Sequence, residues 1–231
     1  QYKWVKWLTR TINRLHPSTK IVVGNSVGGS CPDVFMQNAP ADILVIGEGE
    51  VTCVEVLDAL RDDRSLNDIL GIAYRDSSRK LIKNPRRPAC DINELPMVDW
   101  EIFDVPEYLK RYQWTAFGIP KEQKAIVFPV SSSRGCTFRC TFCHFVFWDD
   151  PYRHRSPGSI VEEISRNIEV YDVNYINFWD DLSFASARQV EPIVDAIIAS
   201  GIDFNWNAAV RVDLFARNKL NRKESIRIAK K

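Results

Sequence analysis

The chain lacks an apolar run approaching the roughly 20 residues that cross a bilayer, so no membrane-spanning helix is expected within it. It also lacks an excess of either charge. Lys+Arg number 31 against 30 Asp+Glu, for a formal net charge of +1. A nucleic-acid partner is therefore not expected, because a phosphate backbone calls for a basic surplus. Internal repeats and low-complexity tracts are missing, which sets aside a repeat array. No secretory signal is visible. The opening "QYKWVKWLTRTINRLHP" has an amphipathic pattern and no small-residue cleavage site. A cytoplasmic location is expected on that basis, and there cysteines stay reduced and serve metals or catalysis. The first residue is Gln1, and "RKESIRIAKK" stops inside an expected helix. Both features suggest a segment of a longer chain. What is present is ordinary for a globular protein: 45% apolar and 26% charged residues over 231 positions. That is enough for one large domain or two modest ones.

The predicted elements alternate. Trp4, Val5, Leu8, Ile12 and Leu15 recur at helical spacing, and Pro17 closes that helix. "KIVVG" and "ADILVIG" are short buried strands, with a helix expected around Asp33 to Gln37. Val51, Val54, Leu57 and Leu60 mark the face of a further helix. This succession predicts a doubly wound parallel sheet. Each strand ends in glycine, "GNSVGGS" and "GEGE", at the carboxyl edge where open α/β sheets place their ligands. A plain tight turn would explain each loop equally well. "GIAYRD" and "KLIKN" predict a hairpin, followed by a proline-rich linker anchored by Trp100 and Phe103.

A second alternation begins near Ala125. "AIVFPV" is a strand leading directly into "SSSRGCTFRCTFCHF". Next comes a helix with Ser156 as N-cap, Pro157 in its first turn, and Ile160, Ile164, Ile168 and Tyr171 on one face. "NYINFWDD" is a strand with two carboxylates at its carboxyl end. "VEPIVDAIIASG" is a helix stopped by Gly201 and kinked or delayed by Pro192. "DFNWNAAVR" is a third strand, and the chain ends in a further helix.

Cys136, Cys140 and Cys143 stand at C-x3-C-x2-C spacing. Zinc could take these thiolates plus His144, although zinc ligands normally fall into two separated pairs. "CTFCH" fits a c-type haem attachment but leaves Cys136 unused. A C-x2-C redox pair leaves it unused as well. Soft thiolates also suit an iron–sulfur cluster, where three cysteines would leave one iron open to substrate.

"SSSRGCTFRCTFCHF" resembles the cluster loop of the radical S-adenosylmethionine (SAM) enzymes, including Phe142 before the last cysteine. "YRHRSPGSIVEEI", "INFWDDLSF", "LPMVDWEIF" and "IVVGNSVGGS…ADILVIGEGE" resemble segments of the cobalamin-binding branch of that family. The resemblance covers nearly the whole chain. It implies an α/β fold: the C-terminal half of a Rossmann-like cobalamin-binding domain (1–75), a hairpin and linker (76–124), and the first part of a radical SAM partial (β/α) barrel (125–231).

The resemblance further implies that Cys136, Cys140 and Cys143 ligate a [4Fe–4S] cluster. Reduction of SAM at that cluster would yield a 5′-deoxyadenosyl radical, for methylation or rearrangement of an unactivated carbon. SAM contacts fall on Phe142, Asp180, Asp181 and Arg211, with the choice between the two aspartates open. Cobalamin contacts fall on Gly24, Asn25, Ser26, Gly47, Glu48, Gly49 and Glu50. Where the branch usually has Gly-Gly-Pro, this chain has Gly24-Asn25-Ser26, and His16 does not sit in a cobalt-ligand motif. The partners implied are a small-molecule substrate and an electron donor such as flavodoxin or ferredoxin. Two further functions stay open: a radical SAM enzyme without cobalamin, and a non-catalytic, zinc-stabilised binding module. Arg153 and Arg155 could neutralise cluster charge or cap structure. Cys31, Cys53 and Cys90 are dispersed and taken as small buried hydrophobes.

Overall fold

The computed structural model describes residues 1–111, 124–143, 150–211 and 214. The chain divides into two compact units. One comprises Gln1–Cys90 with Phe142–Asp150, the other Asp91–Thr141 with Pro151–Lys231. Among the described residues no helix is long and apolar enough to cross a membrane.

The first unit runs α1 (Tyr2–Leu15), β1 (Val22–Val23), α2 (Asn25–Ser30), α3 (Pro32–Asn38), β2 (Ile43–Val45), α4 (Glu50–Arg61), β3 (Ile72–Arg75) and β4 (Leu81–Lys83). Its sheet has the order β1-β2-β3-β4. Only β1 and β2 are parallel, whereas β2–β3 and β3–β4 are antiparallel. The expected parallel pair β1–β2 and the expected β3–β4 hairpin are both present, and the hairpin joins the same sheet through β2–β3, which makes it mixed. Ile72, Ala73 and Tyr74 are all buried, so β3 takes an inner place beside β2. The half-exposed β4 takes the edge.

Apolar side chains line both faces of this sheet. Leu44 and Ala73 pack with Phe35 and Met36 on one side. Ile43, Ile72 and Tyr74 pack with Val56 and Ala59 on the other. Two helix faces differ from the sequence expectation. On α1, Val5 and Ile12 reach the core with Tyr2, but Trp4 and Leu15 are each 62% exposed. On α4 the buried residues are Thr52, Val56 and Ala59, while Val51, Val54 and Leu57 are exposed. Both stripes of α4 share the helical period. The smaller one faces the sheet, where Thr52 donates its hydroxyl to Leu70 O and accepts from Arg87 Nε. The loop expected at Gly24–Ser26 is largely helical, because α2 starts at Asn25.

The second unit contains a one-turn 3-10 helix at Trp100–Ile102, α5 (Val105–Arg111), β5 (Val127–Val130), β6 (Ser133–Arg134), β7 (Arg153–His154), α6 (Pro157–Tyr171), β8 (Tyr175–Phe178), α7 (Ala187–Ser200) and β9 (Asn205–Ala208). β5, β8 and β9 form a wholly parallel sheet with β8 in the centre. Parallel neighbours need crossovers, which α6 and α7 provide. Ser156 caps α6 by accepting from Ser159 N, Pro157 opens it, and Asp172 ends it at φ 54°. Ile160 and Ile164 are buried against the sheet, with Ile168 and Tyr171 packed beside them. Ser186 caps α7, and Gly201 ends it in the left-handed region. Pro192 lies inside α7 and does not delay its start. The helix expected after the third strand falls outside the described residues. Because the strands are parallel and in register at Val130, Phe178 and Ala208, the segments leaving β5 and β8 emerge side by side.

Candidate functional site

The cysteine loop begins where β5 ends. Ser131, Ser132 and Ser133 lead into β6, which pairs with β7 and so closes the base of the loop. Gly135 turns the chain at φ 90°. A Cβ there would stand 3.1 Å from Pro151 O and 3.2 Å from Tyr152 Cα, so only glycine fits. Cys136 and Cys140 are half-buried, Cys143 is exposed, and all three are free thiols. Phe142, expected at the SAM adenine or in the loop's own core, is 90% exposed. His144 lies outside the described residues. Among the described residues no group of three or more His, Cys, Asp or Glu is close enough to hold a metal. The fit to a cluster therefore rests on the donor set: three unpaired soft thiols on one loop at the carboxyl end of a parallel sheet.

The two aspartates after β8 differ. Asp180 accepts from the hydroxyls of Ser131 and Ser132 and from the backbone N–H of Ser132 and Ser133, at 2.7–3.2 Å. Asp181 is exposed as a residue, but its carboxyl is partly screened from solvent by its neighbours, and that partial desolvation, then the Asp180 charge, pushes its pKa up. Arg155 approaches the serines from another direction. Its backbone N–H donates to Ser132 O, and its guanidinium donates to Ser131 O and to the Glu163 carboxylate. Arg155 thus braces structure. The Arg211 guanidinium lies 3.8 Å from the centroid of Phe138, between Cys136 and Cys140 in sequence. Tyr152 donates to Ser183 O and accepts from Gln189 Nε2, and burial raises its pKa.

Sequence reasoning did not single out the three serines, Glu163 or Tyr152. The one available signal was the run of three serines just before Arg134, Gly135 and the first cysteine.

In the first unit, Gly24 is the N-cap of α2, with Asn25 and Ser26 in its first turn. Gly47 adopts φ 90°, and Gly49 is the N-cap of α4, whose first residue is Glu50. The Glu48 carboxylate accepts from Cys90 N at 3.0 Å and Cys90 Sγ at 3.1 Å. Cys31 and Cys53 are exposed rather than buried, and Cys90 is half-buried.

No family model matches the chain. An uncharacterized methyltransferase of Pyrococcus horikoshii is 27% identical over 210 residues, covering 90% of this chain and 43% of that protein. An anaerobic magnesium-protoporphyrin IX monomethyl ester cyclase of Synechocystis is 28% identical over 187 residues, covering 80% and 35%. The chain spans less than half the length of these relatives. Among solved structures, the cobalamin-dependent SAM radical enzyme OxsB superposes with a TM-score of 0.72 at 20% identity, over 99% of this chain and 31% of that one. The radical SAM methyltransferase TsrM of Kitasatospora setae gives 0.64 at 16% identity, over 99% and 43%. Along most of its length, in its fold and in its C-x3-C-x2-C loop, this chain is similar to radical SAM enzymes with a cobalamin-binding domain.

Proposed function

We propose that the chain is part of a radical SAM enzyme of methyltransferase or cyclase type, acting on an unactivated carbon of a small molecule. The observation that carries this reading is the trio of free thiols on the loop leaving β5, at the carboxyl end of a parallel sheet. Cys136, Cys140 and Cys143 would hold a [4Fe–4S] cluster and leave one iron for SAM. A cluster held there would supply one-electron reduction of the SAM sulfonium, which would break a carbon–sulfur bond to give methionine and a 5′-deoxyadenosyl radical. The electron comes from a small donor protein of the flavodoxin or ferredoxin kind.

The chain's own residues bind and orient. Gly135 and the β6/β7 pair fix the base of the loop. Phe142 presents an exposed ring for the nucleobase. Arg211 beside Phe138 supplies positive charge at the loop, suited to the SAM carboxylate. Asp181 is the exposed acid for the SAM amino group or ribose. Cobalamin would lie against the first unit at Gly24–Ser26 and Gly47–Glu50, where Gly47 and Gly49 allow close approach to the backbone.

The test is anaerobic reconstitution followed by metal and sulfide counting. About four iron and four sulfide per chain are expected. Alanine at Cys136, Cys140 or Cys143 should abolish that content, and alanine at Cys31 or Cys53 should not. Stoichiometric zinc without iron would instead establish the binding-module reading. A corrinoid absorption band after incubation with cobalamin separates the two enzyme readings. Cleavage of SAM to 5′-deoxyadenosine is tested on the full-length protein.

A further inference from the structure

Resting on the cluster reading above, we infer that Asp180 is a positioning residue that fastens the entrance of the cysteine loop, leaving Asp181 as the acid of the pair open to a ligand. The two carboxylates follow each other directly at the end of β8, and sequence alone does not separate them. Hydrogen bonding does. Asp180 Oδ1 accepts from Ser131 Oγ at 2.8 Å, Ser132 N at 3.0 Å and Ser133 N at 3.2 Å. Oδ2 accepts from Ser132 Oγ at 2.7 Å and Ser132 N at 3.2 Å. A carboxylate has about four lone-pair sites, so these donors fill it and leave no room for an ammonium or hydroxyl of a ligand.

The donors need Asp180 in turn. Ser132 is fully buried and Ser133 nearly so. They lie where the chain leaves β5, and buried N–H groups without an acceptor are strongly disfavoured. Two successive backbone N–H groups converging on one carboxylate form a small anion nest, here filled from within. The carbonyls of the same segment are satisfied separately: Arg155 N donates to Ser132 O and the Arg155 guanidinium to Ser131 O. Ser133 Oγ donates to Leu182 O at 2.8 Å. The three serines are thus held from two sides, and Cys136 follows three residues after Ser133. A shift of Ser132 and Ser133 would carry through Gly135 to the first thiolate.

Three variants test this. Asp180→Asn keeps Oδ1 as acceptor for Ser131 Oγ and for the N–H groups of Ser132 and Ser133, reverses the bond at Oδ2 so that the amide donates to Ser132 Oγ, and removes the charge. Asp180→Ala removes every acceptor, and Ser132→Ala removes one donor. Two measurements are made. The first is amide hydrogen exchange of the peptide spanning Ser131–Arg134 in cluster-free protein. The second is iron and sulfide content with the electron paramagnetic resonance spectrum of the reduced cluster, with and without SAM. Asp180→Ala should speed exchange at Ser132 and Ser133 by about tenfold or more and lower cluster retention by a similar factor. Ser132→Ala should show a smaller loss, about threefold. Asp180→Asn should stay near wild type in exchange, cluster content and the spectral response to SAM.

If Asp180→Asn loses the SAM response as fully as Asp180→Ala while Ser132→Ala is unaffected, Asp180 touches the ligand through its charge and the inference is overturned. Wild-type exchange and cluster content in Asp180→Ala overturn it as well. A wild-type chain that takes up no iron overturns the cluster reading and this inference with it. Normal wild-type uptake with three indistinguishable variants overturns this inference alone.

Discussion

Arg155 and Glu163 form an ion pair in the second unit, with side chains only 15% and 5% exposed. The same guanidinium donates to Ser131 O at 3.0 Å and Ser159 O at 2.8 Å, so α6 is joined to the base of the cysteine loop through one side chain. Breaking a buried pair by removing one partner leaves the other charge without compensation. Glu163→Ala should therefore lower unfolding stability by about 3 kcal/mol, measured by denaturant unfolding of the cluster-free protein. Replacing both residues with apolar side chains of similar volume should cost much less. Equal losses in the single and double variants would show that the charge is not what matters.

Gly135 offers a second test of how the loop is set. Its φ of 90° and the 3.1 Å approach of a Cβ to Pro151 O act together. Gly135→Ala should destabilise the fold by about 1–3 kcal/mol and loosen the β6/β7 closure. Limited proteolysis should then cut the cysteine loop faster than in wild type. An unchanged cleavage rate would count against the loop base being held here.

Asp181 gives a pH dependence whose sign can be worked out. Burial of its carboxyl, and then the Asp180 charge, raise its pKa in the folded state. The unfolded value stays near the ordinary aspartate value of about 4. Between those two values the folded chain holds a proton that the unfolded chain has released, so stability falls as pH rises through the window. Asp181→Asn does not titrate. It should be more stable than wild type at pH 7, with the difference shrinking as pH falls toward about 4. Denaturation midpoints across that range are the measurement, and a difference that grows on acidification would contradict the assignment.

The parts legible in the sequence were those with short-range causes. Ser156-Pro157 marked the start of α6, Gly201 the end of α7, and "AIVFPV" and "NYINFWDD" the paired strands β5 and β8. The C-x3-C-x2-C spacing is itself a local pattern. What the sequence hid was set by tertiary packing. On α4, two stripes of equal period compete, and the Thr52–Val56–Ala59 stripe faces the core because smaller side chains admit the sheet. Trp4 looked like a core residue by spacing and is exposed on α1. Asp180 and Asp181 are chemically identical neighbours, and their roles diverge only through serines 47–49 positions earlier in the chain.

Glu48 separates a structural role from cofactor contact in the first unit. Its carboxylate accepts from both the N–H and the thiol of Cys90, which ties the segment after β4 back to the loop before α4. Arg87 reinforces the same closure through Thr52 Oγ1 at 2.8 Å and through Glu55. Glu48→Ala should therefore destabilise cofactor-free protein by about 1–2 kcal/mol, since a half-buried N–H loses its acceptor. Cys90→Ala removes only the thiol donor and should have a smaller effect. A residue serving cobalamin alone would leave cofactor-free stability unchanged and weaken only corrinoid binding. Chemical denaturation without cobalamin and absorption titration with it, on the same variant, distinguish the two roles.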